Sequence, residues 1–208
     1  MSPLVQGLVI GFSIAAPVGP IGLLCLRRSL ADGRLAGFVS GLGAATADAL
    51  YGAVAALGLT AITRVLLDHR ALLQLGGGVF LLYLGLATLR AKPGDAGRAE
   101  TPLCEAKAGK LSAAYFSLVG LTLANPLTIL SFVGIFAGLG VGATAGGGWP
   151  AFRLVLGVFL GSAAWWLLLS SAAGWLGRQL AHGGLRTINF ASGLVIAGFG
   201  AWQLAALI

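Results

Sequence analysis

The chain has 208 residues, of which 58% fall in the hydrophobic set and only 9% are charged, against roughly 25% charged in an average soluble domain, which excludes an ordinary soluble enzyme. Thirteen Lys and Arg against six Asp and Glu leave a net charge of +7, but the basic residues sit in short clusters between long uncharged stretches, so nucleic-acid binding is a poor reading. Glycine contributes 34 residues with no collagen-like period, a usage that suits close helix packing in lipid.

A bilayer core about 30 Å thick asks for about 20 apolar residues per spanning helix, so the charges mark where the spans end. The first predicted helix, Ser2 to Leu26, carries no charge. It reads as a retained membrane helix, because the apolar run outlasts that of a signal peptide. Inside it, Ala15-Ala16-Pro17-Val18-Gly19-Pro20 interrupts the span. Two prolines flanking a glycine remove two N–H donors and free several carbonyls, more than a gentle kink requires. The second helix, Leu35 to Thr63, contains a single charge, Asp48, and the third, Ala71 to Leu89, contains none. Arg90 to Lys110 mixes charges with Pro93, Gly94 and Pro102 and is expected to be a mobile loop. The uncharged stretch from Leu111 to Phe152 is too long for one span; Gly138 to Pro150 should divide the fourth helix from an outer loop. This fourth helix is itself broken at Leu123-Ala124-Asn125-Pro126. The fifth helix is predicted from near Phe152 to Gly177 and the sixth from Thr187 to Ile208.

The predicted fold is thus an all-α polytopic membrane protein with six transmembrane helices in a single domain spanning 1–208. Basic residues number ten on the side of the loops after helices one, three and five and three on the other. The positive-inside bias then puts both termini outside the cytoplasm. Three helices precede the 91–110 loop and three follow it, so repeats over about 1–90 and 111–208 would be inverted relative to each other. Aligning Pro17 with Pro126 sets Gly37–Gly41 opposite Gly157–Gly161, both G-x-x-x-G packing signatures, then Gly78 opposite Gly193 and Gly85 opposite Gly200.

Interrupted helices leave backbone groups unpaired, which hydrocarbon tolerates only where they are buried or line a wet cavity. Pro17, Gly19 and Pro20 at the first break and Asn125 and Pro126 at the second are therefore candidate substrate-binding positions. Asp48 is the one acid inside a span, where its charge costs roughly 2.5–3.5 kcal/mol on insertion scales. A carboxyl group there can exchange a proton for a cationic substrate group, which makes Asp48 the candidate for proton coupling; its structural alternative is a protonated residue bonded to Thr46 or to a freed carbonyl. Tyr51 follows at i+3 and either contacts substrate or packs with its hydroxyl satisfied, and Asn125 either binds substrate or caps the half-helix that Pro126 begins. Arg27 and Arg28 read as topology determinants, and Trp165 and Trp166 as packing. No catalytic constellation, metal site or cofactor motif is visible.

The run Ala16-Pro17-Val18-Gly19-Pro20-Ile21-Gly22, with Arg28 to Gly33, Gly37 to Asp48 and Gly58-Leu59, resembles the opening of the LysE/RhtB amino-acid exporter family. Leu81-Leu82-Tyr83-Leu84-Gly85, Asn125-Pro126 and Gly193 to Gly200 extend the resemblance over nearly the whole chain. It implies an inner-membrane secondary transporter that exports amino acids or similar small metabolites by proton antiport. Many members have Pro-Gly-Pro where this chain has Pro17-Val18-Gly19-Pro20. Ala47-Asp48 looks more like the basic amino-acid exporting branch, which leans the substrate toward lysine or arginine. The runner-up is a divalent metal-cation exporter, which needs several hard oxygen ligands in the membrane; one chain offers one acid there and a homodimer would offer two. A thiol relay would want a cysteine in each half, but Cys25 aligns with Gly134.

Overall fold

A computed structural model describes residues 1–17, 19–56, 68–90, 108–139, 148–179 and 182–207, and among them all regular structure is α-helical. In chain order the helices are α1 (Pro3–Ala15), α2 (Pro20–Ala31), α3 (Arg34–Ala56), α4 (Arg70–Arg90), α5 (Ala108–Leu123), α6 (Pro126–Leu139), α7 (Trp149–Gln179) and α8 (His182–Ala205). The expected loop over 90–110 and the outer loop after the fourth helix fall largely outside these residues, as does the end of the predicted second span.

Local chemistry sets the boundaries. Ser2 caps α1, its Oγ accepting from Val5 N, and Pro3 occupies the first turn, where the missing N–H costs nothing. Pro20 and Pro126 likewise open α2 and α6. Gly33, with φ of +92°, makes the tight turn from α2 into α3, a conformation that a side chain rarely adopts. Gly148, at φ +67°, does the same before α7.

Among the described residues three helices are long and apolar enough to cross a membrane on their own, within 34–56, 71–90 and 149–175, and α1 with α2 qualifies as a bent pair. The two members of that pair meet at 83°, a corner rather than a kink. At 1.5 Å per residue α3 is about 35 Å long, enough for the hydrocarbon core. Trp149 and Trp175, both more than 60% exposed, stand about 39 Å apart along α7, a separation that suits the two interfacial belts. Large apolar side chains cover the outside as well as the core, unlike in a soluble protein. Leu50, Leu72, Val79, Phe116, Leu160 and Leu168 face outward, while Ser40, Asp48, Thr88, Ser162, Ser170 and Gln203 are buried. These features make the chain a multi-pass membrane protein.

Close backbone contact holds the bundle together. α1 lies parallel to α7: a methyl group on Gly7 would collide with the Leu154 carbonyl, one on Gly11 with that of Val158, one on Gly157 with that of Leu4, and one on Gly161 with that of Leu8. α4 and α8 run antiparallel, with Gly78 against Gly200 and Gly85 against Gly193. Lipid offers no hydrophobic force between helices, so such contacts supply dispersion energy that larger residues would forbid. The Gly37–Gly41 signature behaves differently: Gly37 meets Ser29 of α2 and Gly41 meets the Trp166 side chain of α7. Gly157→Val should lower the melting temperature in detergent by several degrees, for an overpacking cost of about 1–3 kcal/mol. Gly198→Val, at a position with open space, should leave it unchanged; differential scanning fluorimetry of the two variants decides.

Candidate functional site

The second break shows how the chain satisfies its own interruption. Pro126 has no N–H, and Leu127 N donates to Asn125 Oδ1 at 3.1 Å instead of turning back to Leu123. The Leu123 carbonyl, released from the ladder, accepts the Tyr51 hydroxyl at 2.6 Å. Asn125 is therefore a cap for α6 and Tyr51 a seal on the freed carbonyl. Tyr51 is 5% exposed and its ring packs on Phe132 at 5.6 Å. Among the two readings of each residue, the hydrogen bonds seen are those of the structural alternatives.

Asp48 is 3% exposed and faces α7. Its Oδ2 accepts from Ser162 Oγ at 2.7 Å, and the same Ser162 Oγ accepts from Trp166 Nε1 at 3.1 Å. Ser162 and Trp166 lie one turn apart on α7, so a single face supplies the chain Trp166 to Ser162 to Asp48. Thr46, the partner expected for a structural Asp48, instead bonds Leu42 O and Tyr115 Oη. Ser162 and Trp166 were legible only as a Ser-x-x-x-Trp pair within an apolar span.

Pro20 and Asn125 do come together. They line a cavity of about 360 Å³ between α2, α4, α6 and α8, with Gln74 and Gln203 among its polar walls. Asp48 and Tyr51 are not among its lining residues. The predicted site is thus split into a cavity at the two breaks and a carboxyl on the α3–α7 interface, joined by Tyr51, one turn along α3 from Asp48. Pro17 is exposed, Gly19 is the N-terminal cap of α2 and makes no side-chain hydrogen bond, and Val18 lies outside the described residues.

Arg28 does more than mark topology. Its Nη1 donates to Ser40 Oγ and to Ala114 O, both at 2.9 Å, and its Nη2 donates to Ser117 Oγ at 2.9 Å. One guanidinium therefore ties α2 to α3 and α5, using the planar fork that lysine lacks. Sequence offered no signal, because the acceptors are two serines and a carbonyl scattered over two other helices. Among the described residues no group of three or more His, Cys, Asp or Glu is placed to hold a metal ion.

A multi-pass helical bundle with polar groups buried at two broken helices has the form of a membrane transporter. The sequence matches the LysE type translocator family over residues 12–206, and the chain belongs to that family, whose members are transporters rather than enzymes. It is 29% identical over 167 residues to YahN of Escherichia coli (strain K12), an uncharacterized membrane protein, covering 78% of this chain and 71% of the relative. It is 31% identical over 136 residues to YcgF of Bacillus subtilis (strain 168), which carries a provisional name as an amino acid efflux protein, covering 64% and 61%. No solved structure matches significantly.

Tyr51→Phe should keep the ring contact with Phe132 but strand the Leu123 carbonyl in an apolar core. An unsatisfied buried acceptor costs about 1–3 kcal/mol, so the variant should melt several degrees below wild type in detergent. An unchanged melting temperature would mean that water or another donor reaches Leu123.

Proposed function

We propose that this protein is an inner-membrane exporter of amino acids or similar small metabolites, working by proton antiport with Asp48 as the coupling group. The observation that carries the reading is the Asp48–Ser162 bond, the contact of the one buried acid in the described spans with the helix opposite. On the proposed division into inverted repeats, α3 and α7 are equivalent elements, so their interface lies at the pseudo-two-fold axis. That interface must repack when the two halves exchange their exposure.

The proposed division into six spans and two inverted repeats has independent support in packing. If Gly78 corresponds to Gly193 and Gly85 to Gly200, the pair Gly78–Gly200 transforms into the pair Gly193–Gly85. A methyl group on Gly200 would lie 2.8 Å from the Gly78 carbonyl oxygen, and one on Gly193 3.0 Å from that of Gly85. The contacts of α1 with α7 and of α5 with α3 also exchange under the same operation.

Coupling then follows from the geometry. Ionised Asp48 accepts the Ser162 hydroxyl, whereas a protonated Asp48 carries a donor of its own, so proton binding alters the α3–α7 contact. Movement of α3 reaches the second break through Tyr51 and Leu123, and hence Asn125 at the cavity wall. Substrate bound at the cavity and a proton held on Asp48 in this way bias the same two-state element, which is the requirement for antiport.

In liposomes containing only this protein, an inward proton gradient should accelerate outward amino-acid flux. Asp48→Asn keeps an acceptor for Ser162, so the protein should remain folded and abundant, while the gradient should no longer stimulate flux. Equal stimulation in wild type and variant would remove Asp48 from the coupling role. The basic-residue count supports an arrangement with both termini outside the cytoplasm. A reporter fused after Ile208 should be active when it requires export and silent when it requires the cytoplasm; the reverse pattern would overturn the six-span arrangement.

A further inference from the structure

We propose that Arg28 is the latch of a gate between the cavity at the two breaks and the cytoplasm, and that the structure shows this gate closed. The proposal rests on the orientation and the alternating halves of the exporter reading above, and adds to them an access state and a gating residue. Along α2, Arg28 lies eight residues past Pro20, and its acceptor Ser117 of α5 lies eight residues before Asn125. At 1.5 Å per residue the fork therefore sits about 12 Å from the cavity wall along both segments, toward the basic loops.

The space between cavity and fork is filled. Leu24, Leu81, Leu118 and Ile196, each no more than 3% exposed, form one buried cluster with Cys25, and Leu81 is at the same time part of the cavity wall. Leu24 stands one turn before Arg28 and Leu118 directly follows Ser117, so the cluster is a floor under the cavity on the side of the fork. Neither Cys25, Arg28 nor Ser117 is among the lining residues. In the other direction the wall continues. A methyl group on Gly77 of α4 would lie 3.2 Å from the Ala124 carbonyl oxygen, at the level of the second break. From there the lining runs on to Ala71 in the first turn of α4 and to Ala206 and Leu207 just past the end of α8. The cavity thus reaches toward the end of the bundle away from the fork, which is the outer end on the proposed topology.

The chemistry of the fork suits a latch rather than a fixed brace. All three acceptors, Ser40 Oγ, Ala114 O and Ser117 Oγ, are neutral, so no carboxylate is stranded when the bonds part. Both hydroxyls also keep a partner of their own, Ser40 Oγ donating to Ala36 O and Ser117 Oγ to Ala114 O. A released guanidinium near the end of α2 can reach water with its stem along apolar surface. Under the pairing of Pro17 with Pro126, Arg28 corresponds to Ala137, so the other half carries no matching fork. Identical inverted halves would hold the two access states equally, and a fork at one end alone tips the balance toward the cytoplasm-closed state.

Labelling with a membrane-impermeant methanethiosulfonate from either face of oriented vesicles tests the latch. Cys25 is a native probe: it is 2% exposed on the cavity side of the fork, and Cys104→Ser leaves it the one thiol in the chain. In that background Cys25 should be protected from the cytoplasmic face, and Arg28→Ala should raise its labelling rate there by about tenfold or more, through loss of charge-assisted bonds. Ser40→Ala with Ser117→Ala, which leaves every charge in place, should act in the same direction. A second probe, Gln74→Cys on the cavity wall of a chain lacking Cys25 and Cys104, should label from the outer face and become about tenfold slower in Arg28→Ala. Opposite changes at the two probes are what a gate produces; a brace whose loss merely loosens the bundle would speed both and overturn the latch. Cys25 labelling that is unchanged in either variant, or that rises from the outer face, overturns it equally. Reciprocal labelling in a protein whose liposomes move no amino acid removes the exporter reading and leaves the latch; amino-acid flux without reciprocal labelling removes the latch alone.

Discussion

Backbone hydrogen bonding in a medium without water is the constraint on which the rest of this structure depends. A continuous helix satisfies its own N–H and C=O groups, and a broken one in hydrocarbon cannot leave them exposed. The chain breaks two helices with proline and then meets the consequence in different ways. At Asn125-Pro126 the side chain of Asn125 takes the next N–H and Tyr51 takes the Leu123 carbonyl, so the interruption is closed. At Pro17–Pro20 no side chain caps the new helix, and Pro20 lines the cavity. One break is therefore braced by side chains, and the other has no side-chain cap.

Glycine makes that arrangement affordable in space. The α1–α7 and α4–α8 pairs approach so closely that backbone meets backbone, which frees the interior for polar groups without a thick layer of large side chains. The polar interior is a set of short bonded chains: Trp166 to Ser162 to Asp48, Tyr51 to Leu123, and Arg28 to Ser40, Ala114 and Ser117. Each joins different helices, so a shift of one helix is felt by its neighbours through directional contacts rather than through fluid apolar packing.

The Arg28 fork is the clearest case of a role hidden from the sequence. As one of three arginines in a short stretch between predicted spans, it looks like a topology signal. Placed within α2, it becomes a bolt between three helices, because Ser40 and Ser117 lie 12 and 89 positions away in the chain and meet only on folding. The same holds for Ser162 under Asp48, 114 residues apart.

Hydropathy, proline and the lone Asp48 were enough to determine, from sequence alone, a helical membrane chain with breaks at Pro17–Pro20 and Asn125-Pro126. Those features act locally: the bilayer sets segment length, and a missing N–H interrupts its own helix whatever lies nearby. Which residues share a site was decided only by the tertiary structure. Asp48 and the two breaks are each conspicuous in the sequence and read as one centre, yet α3 turns the carboxyl toward Ser162 of α7 while Pro20 and Asn125 line a cavity with Gln74 and Gln203 that does not include Asp48. Rotation of a helix about its axis is set by the glycine contacts of its neighbours, and those are long-range in the chain, so no local pattern could have specified it.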